Sequence, residues 1–512
     1  MNAVEADLLD KIGNSRVHPI SPDRPGRYVA FEGNEQDPHP VYLPQGEVIV
    51  SMSPVEIRWP APISPIEALM LVTKAQKVED IGLHPVSAAA CTPENAEKPE
   101  LQLFSDTEFG RDEIIVAQDL IKDFPKVAKT ALISLAESQG VDFDYAREER
   151  RGSIIHEKRS PEDPLAQKIT SESGWGWAYY GAKDSNPLYI QLAGLYVQQK
   201  GREILSEVYK DKNGEEQEVL HAVTLAADLM IKEIDASPLG MLEFRQEIPK
   251  GISNQVWRDS KEAYHHADGR IADNTYGIAS FSLQVDAYKA LQALSSLFPE
   301  NKHLYDGRAK NLKDRILNDF WVEDERGGYF ALGAEKKEDG AYELLRIRTS
   351  DMGHVLDSDI LEGDDPGIVR KREMLIRALF SPEMFSGKGI RTLASSEVRY
   401  NPASYHNGSV WIRENNKIAK GLERHGNIDL AALVHQCTVN IWLSLGIMPE
   451  NVPSDDTPEP RINGRIVDAE GQIKYRVEQP GQLIQAWSAS GVYQSIEFLK
   501  KYGYPVPESV AA

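Results

Sequence analysis

The sequence predicts a mainly α-helical toroid of about six helix pairs, preceded by a short irregular, β-containing segment. Three observations carry that prediction. From about residue 113 the apolar residues recur at helical spacing almost to the end of the chain. The links between helices alternate in length, from a few to roughly 15 residues within a pair and roughly 25 to 50 between pairs, the latter well beyond an ordinary helix–helix connection. No internal sequence repeat is visible, which argues against a solenoid of like units. In an up-and-down array alternate connections leave at the same end, so five long ones gather on one rim. That organisation is an (α/α)6 barrel with its site in the wide mouth, since loops on a rigid scaffold carry function.

Residues 1–100 form the first unit. Prolines are dense from Pro19 to Pro65, and apolar runs are short. Stretches 48–51 and 55–59 read as strands, and 66–75 as a helix. Residues 101–512 form the barrel, the expected catalytic domain. Its first pair is 114–122 and 127–138, broken at Phe124-Pro125 and stopped by Gly140. Next, 186–200 ends at Gly201 and pairs with 216–235. The helices 274–297 and 303–321 flank Phe298-Pro299-Glu300. A shorter pair spans 350–361 and 367–379, then 408–424 and 427–445 meet at Gly426. Helix 481–501 closes the series.

The 512-residue chain is 41% hydrophobic and 27% charged, ordinary for a soluble globular protein. Its formal net charge of -22, from 79 acidic and 57 basic residues, disfavours nucleic acid or an anionic membrane as partner. It is compatible with a neutral small-molecule or oligosaccharide substrate. Cys91 and Cys437 stand too far apart in sequence to suggest a disulfide framework or metal knuckle. Residues 1–10 lack the basic and apolar regions of a signal peptide, and no run approaches a membrane span. A cytoplasmic protein is expected.

The long connections hold the unusual residues. The second, 251–269, sets Trp257 beside Asp259. Indole stacks on the C–H face of a sugar while a carboxylic acid reaches the glycosidic oxygen. The plainer alternative is a loop whose Trp257 plugs the core and whose Asp259-Ser260 caps a helix. There is no phosphate-cradling turn, Walker lysine or nucleophile elbow. His265-His266 with Asp268, or His156-Glu157, could offer metal ligands, but neither has the i, i+4 spacing of a zinc helix. Neither metal nor cofactor is expected. Paired carboxylates remain, one to protonate the leaving oxygen and one to activate water or attack carbon. Eight rim carboxylates qualify: Asp112, Glu157, Asp184, Asp259, Asp268, Glu414, Glu450 and Glu478. Composition does not choose among them.

Motifs narrow the choice. Stretches 109–112, 148–157, 177–181 with Asp184 and Pro187-Leu188, 254–260, 387–393, 400–411, 448–450 and 485–487 run in order over roughly 110–490. Together they resemble the bacterial amylo-α-1,6-glucosidase family, relatives of the C-terminal domain of glycogen-debranching enzyme. These belong with the wider six-hairpin glycosidases that include glycoside hydrolase family 63. The resemblance implies an inverting, exo-acting α-glycosidase on an (α/α)6 barrel. It places the general acid on Asp259, in the Trp-x-Asp-Ser motif, and the general base, which stays ionised, on Glu450 in Pro-Glu. It implies substrate contacts from Arg111, Asp112, His156, Glu157, Trp177, Tyr180, Asp184, Trp257, Tyr405, His406, Asn407, Trp411 and Gln485, and it demotes His265 and His266 to supporting loop residues.

The sequence also departs from that family. Glu414 stands where the family carries an aspartate, a neighbouring histidine is lost, and the polar stretch 453–476 is inserted after Glu450. Glu478 lies nearer the 485–487 motif, so it competes for the base role. The short N-terminal part suits a small glycoside, such as a sugar joined to glycerate or a short oligosaccharide, at least as well as an α-1,6 branch. Two other readings stand beside this one. A polysaccharide lyase could use Tyr400, Tyr405, His406 and Asn407, and a non-catalytic carbohydrate-binding protein could use the same rim.

Overall fold

The computed structural model describes residues 63–90, 104–455 and 481–506, with Val4 and the strands Tyr28–Phe31, His39–Tyr42, Val48–Ser51, Pro54–Ile57, Arg465–Val467 and Ile473–Arg476. Among the described residues the α-helices are α1 Pro65–Val72, α2 Gly110–Leu120, α3 Pro125–Glu137, α4 Pro164–Ser173, α5 Ser185–Lys200, α6 Val219–Ala236, α7 Phe281–Leu297, α8 Lys302–Asp319, α9 Pro366–Leu379, α10 Ile412–Arg424, α11 Ile428–Leu445 and α12 Ala486–Tyr502. A 3₁₀ stretch, Ser350–Asp357, lies between α8 and α9.

Packing sorts these into two rings. α2, α5, α7, the 3₁₀ stretch, α10 and α12 each pack on the next, and α12 returns to α2. Their outer partners are α3, α6, α8, α9, α11 and α1. The ring is the (α/α)6 toroid that the connection lengths predict. Its sixth pair closes through α1, which precedes residue 100 yet packs on α12. The expected boundary at residue 100 therefore separates α1 from its partner helix.

Burial follows the two layers. Inner α7 buries residues all around its circumference. Outer α8 buries only Ala309, Leu312 and Ile316, the single stripe of a surface helix. α11 is long and apolar enough to cross a membrane, but 56% of it is buried in the fold, as befits an outer helix packed on both α10 and α12.

The helix starts also differ by layer. Outer α1 and α9 open on proline with a side-chain cap: Ser64 and Glu67 form a capping box, and Asp365 accepts from Gly367 and Ile368. Inner α2, α5, α7, α10 and α12 have no side-chain cap. Three of them issue from short strands instead. Glu108–Phe109 pairs with Glu157–Lys158, Ile278–Ser280 with Gly333–Lys336, and Val410–Trp411 with Asn451–Val452. The helices expected from 274 and 408 consequently begin later, at Phe281 and Ile412.

The expected helix 350–361 is only a 3₁₀ stretch. There the chain runs close against α10, and glycine is required on both sides: a Cβ on Gly353 would lie 2.7 Å from Ile418 Cγ1, and one on Gly421 2.5 Å from Leu356 Cβ. The strand expected at 48–51 is present, and the one expected at 55–59 occupies Pro54–Ile57. Val48–Ser51 lies between His39–Tyr42 and Arg465–Val467 in an antiparallel sheet completed by Ile473–Arg476. The inserted stretch 453–476 thus pairs with the N-terminal segment.

Alanine for glycine in an exposed helix gains about 1 kcal/mol. At Gly421 the close approach reverses that sign, and Gly421→Ala is expected to cost ~1–3 kcal/mol as an overpacked core does. Urea unfolding checks this; a stabilised variant would contradict the close packing.

Candidate active site

A cavity of about 480 Å3 opens where the inner helices begin, a volume typical of small-molecule sites. Arg111 and Asp112 enter from the first turn of α2, Trp411 from the residue before α10, and Gln485 and Trp487 from the start of α12. The long connections add His156, Glu157, Trp257, Asp259, Tyr405 and Glu450. Uncapped helix N-termini carry partial positive charge and favour carboxylates nearby.

Asp259 stands beside Arg111, with Oδ2 3.9 Å from Nη1. Arg111 itself is held by Asp184, Nε to Oδ2 at 2.7 Å and Nη2 to Oδ1 at 3.0 Å, a bidentate geometry that fixes the guanidinium plane. Although burial opposes it, Asp184 raises the Arg111 pKa further above its ordinary value. Asp184 occupies the N-cap position of α5 but does not cap it. The Asp259 side chain is 31% exposed and lines the cavity. Burial pushes its carboxyl up to about 7 against the pull of Arg111, with Asp184 and Glu157 adding repulsion.

Glu450 lies on the fifth connection. Tyr405 Oη donates to its Oε1 at 2.6 Å, and the Gln482 N–H to Oε2 at 3.1 Å. Both bonds favour the anion, yet burial outweighs them and pushes Glu450 up to about 8, with Asp112 and Asp259 adding to the rise. That rise runs against the expectation that Glu450 stays ionised. Asp112 accepts from Gln485 Nε2 at 2.7 Å and is pushed up to about 7 by burial. Three carboxyls that sense one another titrate as a set.

One buried ion pair anchors the 251–269 connection. Arg258 donates through Nε to Asp351, through Nη1 to the His406 carbonyl at 2.6 Å, and through Nη2 to the Thr392 carbonyl. Trp257 Nε1 shares the same Asp351, at 2.8 Å. Trp257 is 3% exposed and packs edge-on to Trp411 at 5.7 Å, with the Arg258 and Arg413 guanidinium groups over its ring. It plugs the core and walls the cavity at once. At the base of the loop, Glu148 accepts from Tyr179 and Gln255 while Tyr179 Oη accepts the Ile252 N–H at 3.0 Å.

Other lining residues keep buried polar atoms with no hydrogen-bond partner among the described residues: His156 Nδ1, Gln485 Oε1 and Trp487 Nε1. Such groups are available to the hydroxyls of a bound ligand. His156 is held neutral, its pKa lowered by burial and by Arg111 and Arg159.

Ten of the fifteen expected site residues line the cavity: Arg111, Asp112, His156, Glu157, Trp257, Asp259, Tyr405, Trp411, Glu450 and Gln485. Asp184 acts from behind, through Arg111. Tyr180 donates to the Ser138 carbonyl and lines a neighbouring cavity of about 290 Å3. Trp177 turns its Nε1 to Thr170 on α4, and Trp175, stacked on Tyr179 at 3.9 Å, takes the lining position. His406 is buried, stacks on Trp411 and bonds Ser260 Oγ, while Asn407 donates to the Glu262 carbonyl. Neither lines the cavity, so of the residues a lyase would need only Tyr405 faces it, and Tyr405 is engaged by Glu450.

The remaining rim carboxylates also sort out. Glu414 is sealed against His354, Arg413 and Ser350, and although burial opposes it, His354 and Arg413 hold its pKa low. Asp268 accepts the Arg270 N–H at an exposed turn. Glu478 lies outside the described residues. His266 meets Glu335 and Glu343, but Lys337 already pairs with both carboxylates. Residues that sequence reasoning missed include Arg159, Leu165, Ile169 and Trp175. Phe109, Ser260 and Trp487, which also line it, carried a signal as parts of the 109–112, 254–260 and 485–487 motifs.

Residues 222–444 match the family model of the mannosylglycerate hydrolase MGH1-like glycoside hydrolase domain. No curated protein matches the chain. Among solved structures, the family 63 mannosylglycerate hydrolase of Thermus thermophilus in complex with Tris shares 12% identity, covering 84% of this chain and 98% of that one, with a TM-score of 0.53. The same enzyme in complex with glucose, also 12% identical, covers 77% of this chain and 93% of that one, with a TM-score of 0.50. At that identity the likeness is one of fold, the six-hairpin toroid; the matched domain makes the chain a glycoside hydrolase.

A carboxyl whose pKa is raised in the fold stabilises while protonated, below its unfolded pKa, and that contribution is lost as pH rises through the folded pKa. Glu450→Gln is therefore expected to match the parent protein in melting temperature near pH 4.5. By pH 8.5 it should be the more stable by roughly 1–2 kcal/mol, the usual relief at a strained site. Calorimetry across that range checks it; equal curves at both ends would remove the buried-carboxyl argument.

Proposed function

We propose that this glycoside hydrolase is an inverting, exo-acting α-glycosidase in which Asp259 is the general acid and Glu450 the general base. The observation that carries the reading is that these two carboxyls, from the second and fifth long connections, face one indole-walled cavity. Each is buried enough to hold or accept a proton near neutrality. Asp259 gives its proton to the glycosidic oxygen as the bond from that oxygen to the anomeric carbon breaks. Glu450 takes a proton from the water whose oxygen bonds to that carbon from the opposite face. Inversion of this kind needs the carboxyls about 6.5–9.5 Å apart to leave room for the water. After product release, exchange with solvent returns the proton to Asp259 and removes it from Glu450.

The neighbouring groups fit these roles. Arg111, locked by Asp184, stands beside the acid and would stabilise it as it becomes an anion. Tyr405 and the Gln482 N–H aim Glu450 and favour its charged form. Asp112, Glu157, His156 and Gln485 offer hydrogen bonds to ring hydroxyls, and the indoles of Trp411 and Trp487 offer stacking faces. The substrate proposed is an α-glucoside or closely related α-glycoside of small size. Removing either carboxyl, as Asp259→Asn or Glu450→Gln, is expected to lower kcat by about 10³-fold or more with the fold intact, the scale of losing an essential proton-transfer group. Proton NMR of the first sugar released should show the β-anomer from an α-glycoside; release of the α-anomer would replace inversion with retention.

The active form needs a proton on Asp259, which is lost as pH rises past about 7, and none on Glu450, which loses its own as pH rises past about 8. The profile of kcat/KM is therefore expected to be a narrow bell between about pH 7 and 8, with a steep fall on either side. Because the base titrates above the acid, Glu450 sets the basic limb, so Tyr405→Phe, which removes a bond that favours the Glu450 anion, should lower the maximum and move the basic limb to higher pH. A plateau extending down to pH 5 would contradict the assignment.

A further inference from the structure

The second cavity, of about 290 Å3, adjoins the 251–269 connection through Gln255 and shares no lining residue with the active one. Its volume is at the lower end for small-molecule sites, enough for one small ring and too little for a chain. Its inner wall is apolar, with Pro187 from α5, Leu229 and Met230 from α6, and Leu242. Phe143 and Tyr145 stand at its open end, 74% and 59% exposed. Phe143 is the most exposed large apolar side chain among the described residues. At that exposure it contributes little to the core, and with Tyr145 it offers ring faces to the C–H face of a ligand.

The polar wall is balanced in charge. Among the described residues, Glu148, Glu233 and Glu247 line it with Arg150, Lys183 and Arg245. Arg150 reaches Glu233 at 2.8 Å and Glu247 at 2.7 Å, Lys183 also pairs with Glu233, and Arg245 pairs with Glu247 at 3.3 Å. Groups paired in this way are held in place and still have lone pairs and N–H groups to offer. Hydroxyls, which donate and accept at once, can use both kinds without breaking a pair. A net charge on the ligand would have to break one to be neutralised.

Glu148 and Gln255 tie this wall to the active site. Gln255 lies two residues before Trp257 and donates to Glu148, whose other oxygen accepts from Tyr179 Oη at 3.1 Å. Tyr179 Oη in turn accepts the Ile252 N–H, and Gly251 leaves no room for a Cβ against Glu148. One carboxyl thus holds both ends of the stretch 252–255, which leads directly to Trp257 and Asp259. Burial pushes that carboxyl up to about 7 against its two bonds. A further donor, from a ligand hydroxyl, would stabilise the anion that accepts them.

We infer that this cavity is a second, non-catalytic site for an uncharged polyhydroxylated ring, a sugar or cyclic polyol, and that its occupant steadies the 251–269 connection through Glu148. The effect on turnover rests on the glycosidase reading above, whereas binding at the second cavity does not.

Met230 is the reporter, since it lines the second cavity and no methionine among the described residues lines the active one. In methyl NMR of protein isotope-labelled at methionine, the resonance that Met230→Leu removes is expected to shift saturably with myo-inositol or glucose. Glucuronate and glucosamine should need several-fold higher concentrations. Phe143→Ala and Tyr145→Ala, both at exposed positions, should each weaken the myo-inositol titration several-fold and leave the melting temperature unchanged. With myo-inositol present, kcat for α-glucosyl fluoride is expected to rise several-fold in the parent protein and to stay level in the two variants. Competition in the active cavity would raise KM instead. An unshifted methyl, equal titration by the charged analogues, a kcat that stays level or falls in the parent, or a rise that persists in both variants overturns the inference while the glycosidase reading stands. If the methyl titrates but no glycoside or fluoride is hydrolysed, the glycosidase reading falls and the second site remains.

Discussion

The buried ion pair between Arg258 and Asp351 is the constraint on which the rest of the site depends. Both side chains are fully buried, and a charge pair so far from water is tolerated only when every group is hydrogen-bonded. The pair meets that condition by recruiting three parts of the rim. Arg258 reaches the carbonyls of Thr392 and His406 on the fourth connection, and Asp351 sits at the start of the 3₁₀ stretch and also holds Trp257. Asp259 follows Arg258 directly in the chain. The backbone from which Asp259 projects is thereby fixed by the same guanidinium that joins two connections to the inner ring.

Around that anchor the protein concentrates negative charge where burial resists it. Asp112, Asp259 and Glu450 are all pushed upward by the loss of solvent. The fold moderates this with Arg111, with the Tyr405 and Gln482 bonds to Glu450, and with uncapped inner helix starts. The moderation is incomplete, and it leaves carboxyls that exchange protons near neutral pH. Proton transfer benefits from that balance, whereas stability would be served by neutral groups. Glu414 shows the opposite outcome. Equally buried, it is surrounded by His354, Arg413 and Ser350 and is held as a structural anion.

The fold was legible because the toroid repeats one physical rule along the chain. Short links hold helices of a pair together, and long links must cross from an outer helix to the next inner one. Departures arose where packing against distant residues overrode local pattern. The stretch 350–361 has helical spacing, but Ser350–Asp357 is 3₁₀ and packs so closely on α10 that Gly353 and Gly421 leave no room for a Cβ. α1 reads as part of an irregular N-terminal segment because its partner, α12, lies about 420 residues away. The site was legible in the same measure. Asp259, Glu450, Arg111 and Trp257 stand in motifs, whereas Leu165 and Ile169 sit in an unremarkable polar helix. Trp175 and Trp177 are separated by one glycine, and only the stacking of Trp175 on Tyr179 decides which of them meets the cavity.

By itself, the sequence determined the helical toroid and the gathering of long connections on one rim, and through a family resemblance its motifs pointed to Asp259 and, with Glu478 in competition, to Glu450. Helical periodicity, link length and short motifs are local properties, and they survive being read one segment at a time. Only the tertiary structure decided which side chains face the cavity, that Tyr180, His406 and Asn407 turn away from it, and that both carboxyls are lifted towards neutral pKa values. Those outcomes depend on the solvent removed and the charges brought near by residues hundreds of positions apart, and no local pattern encodes them.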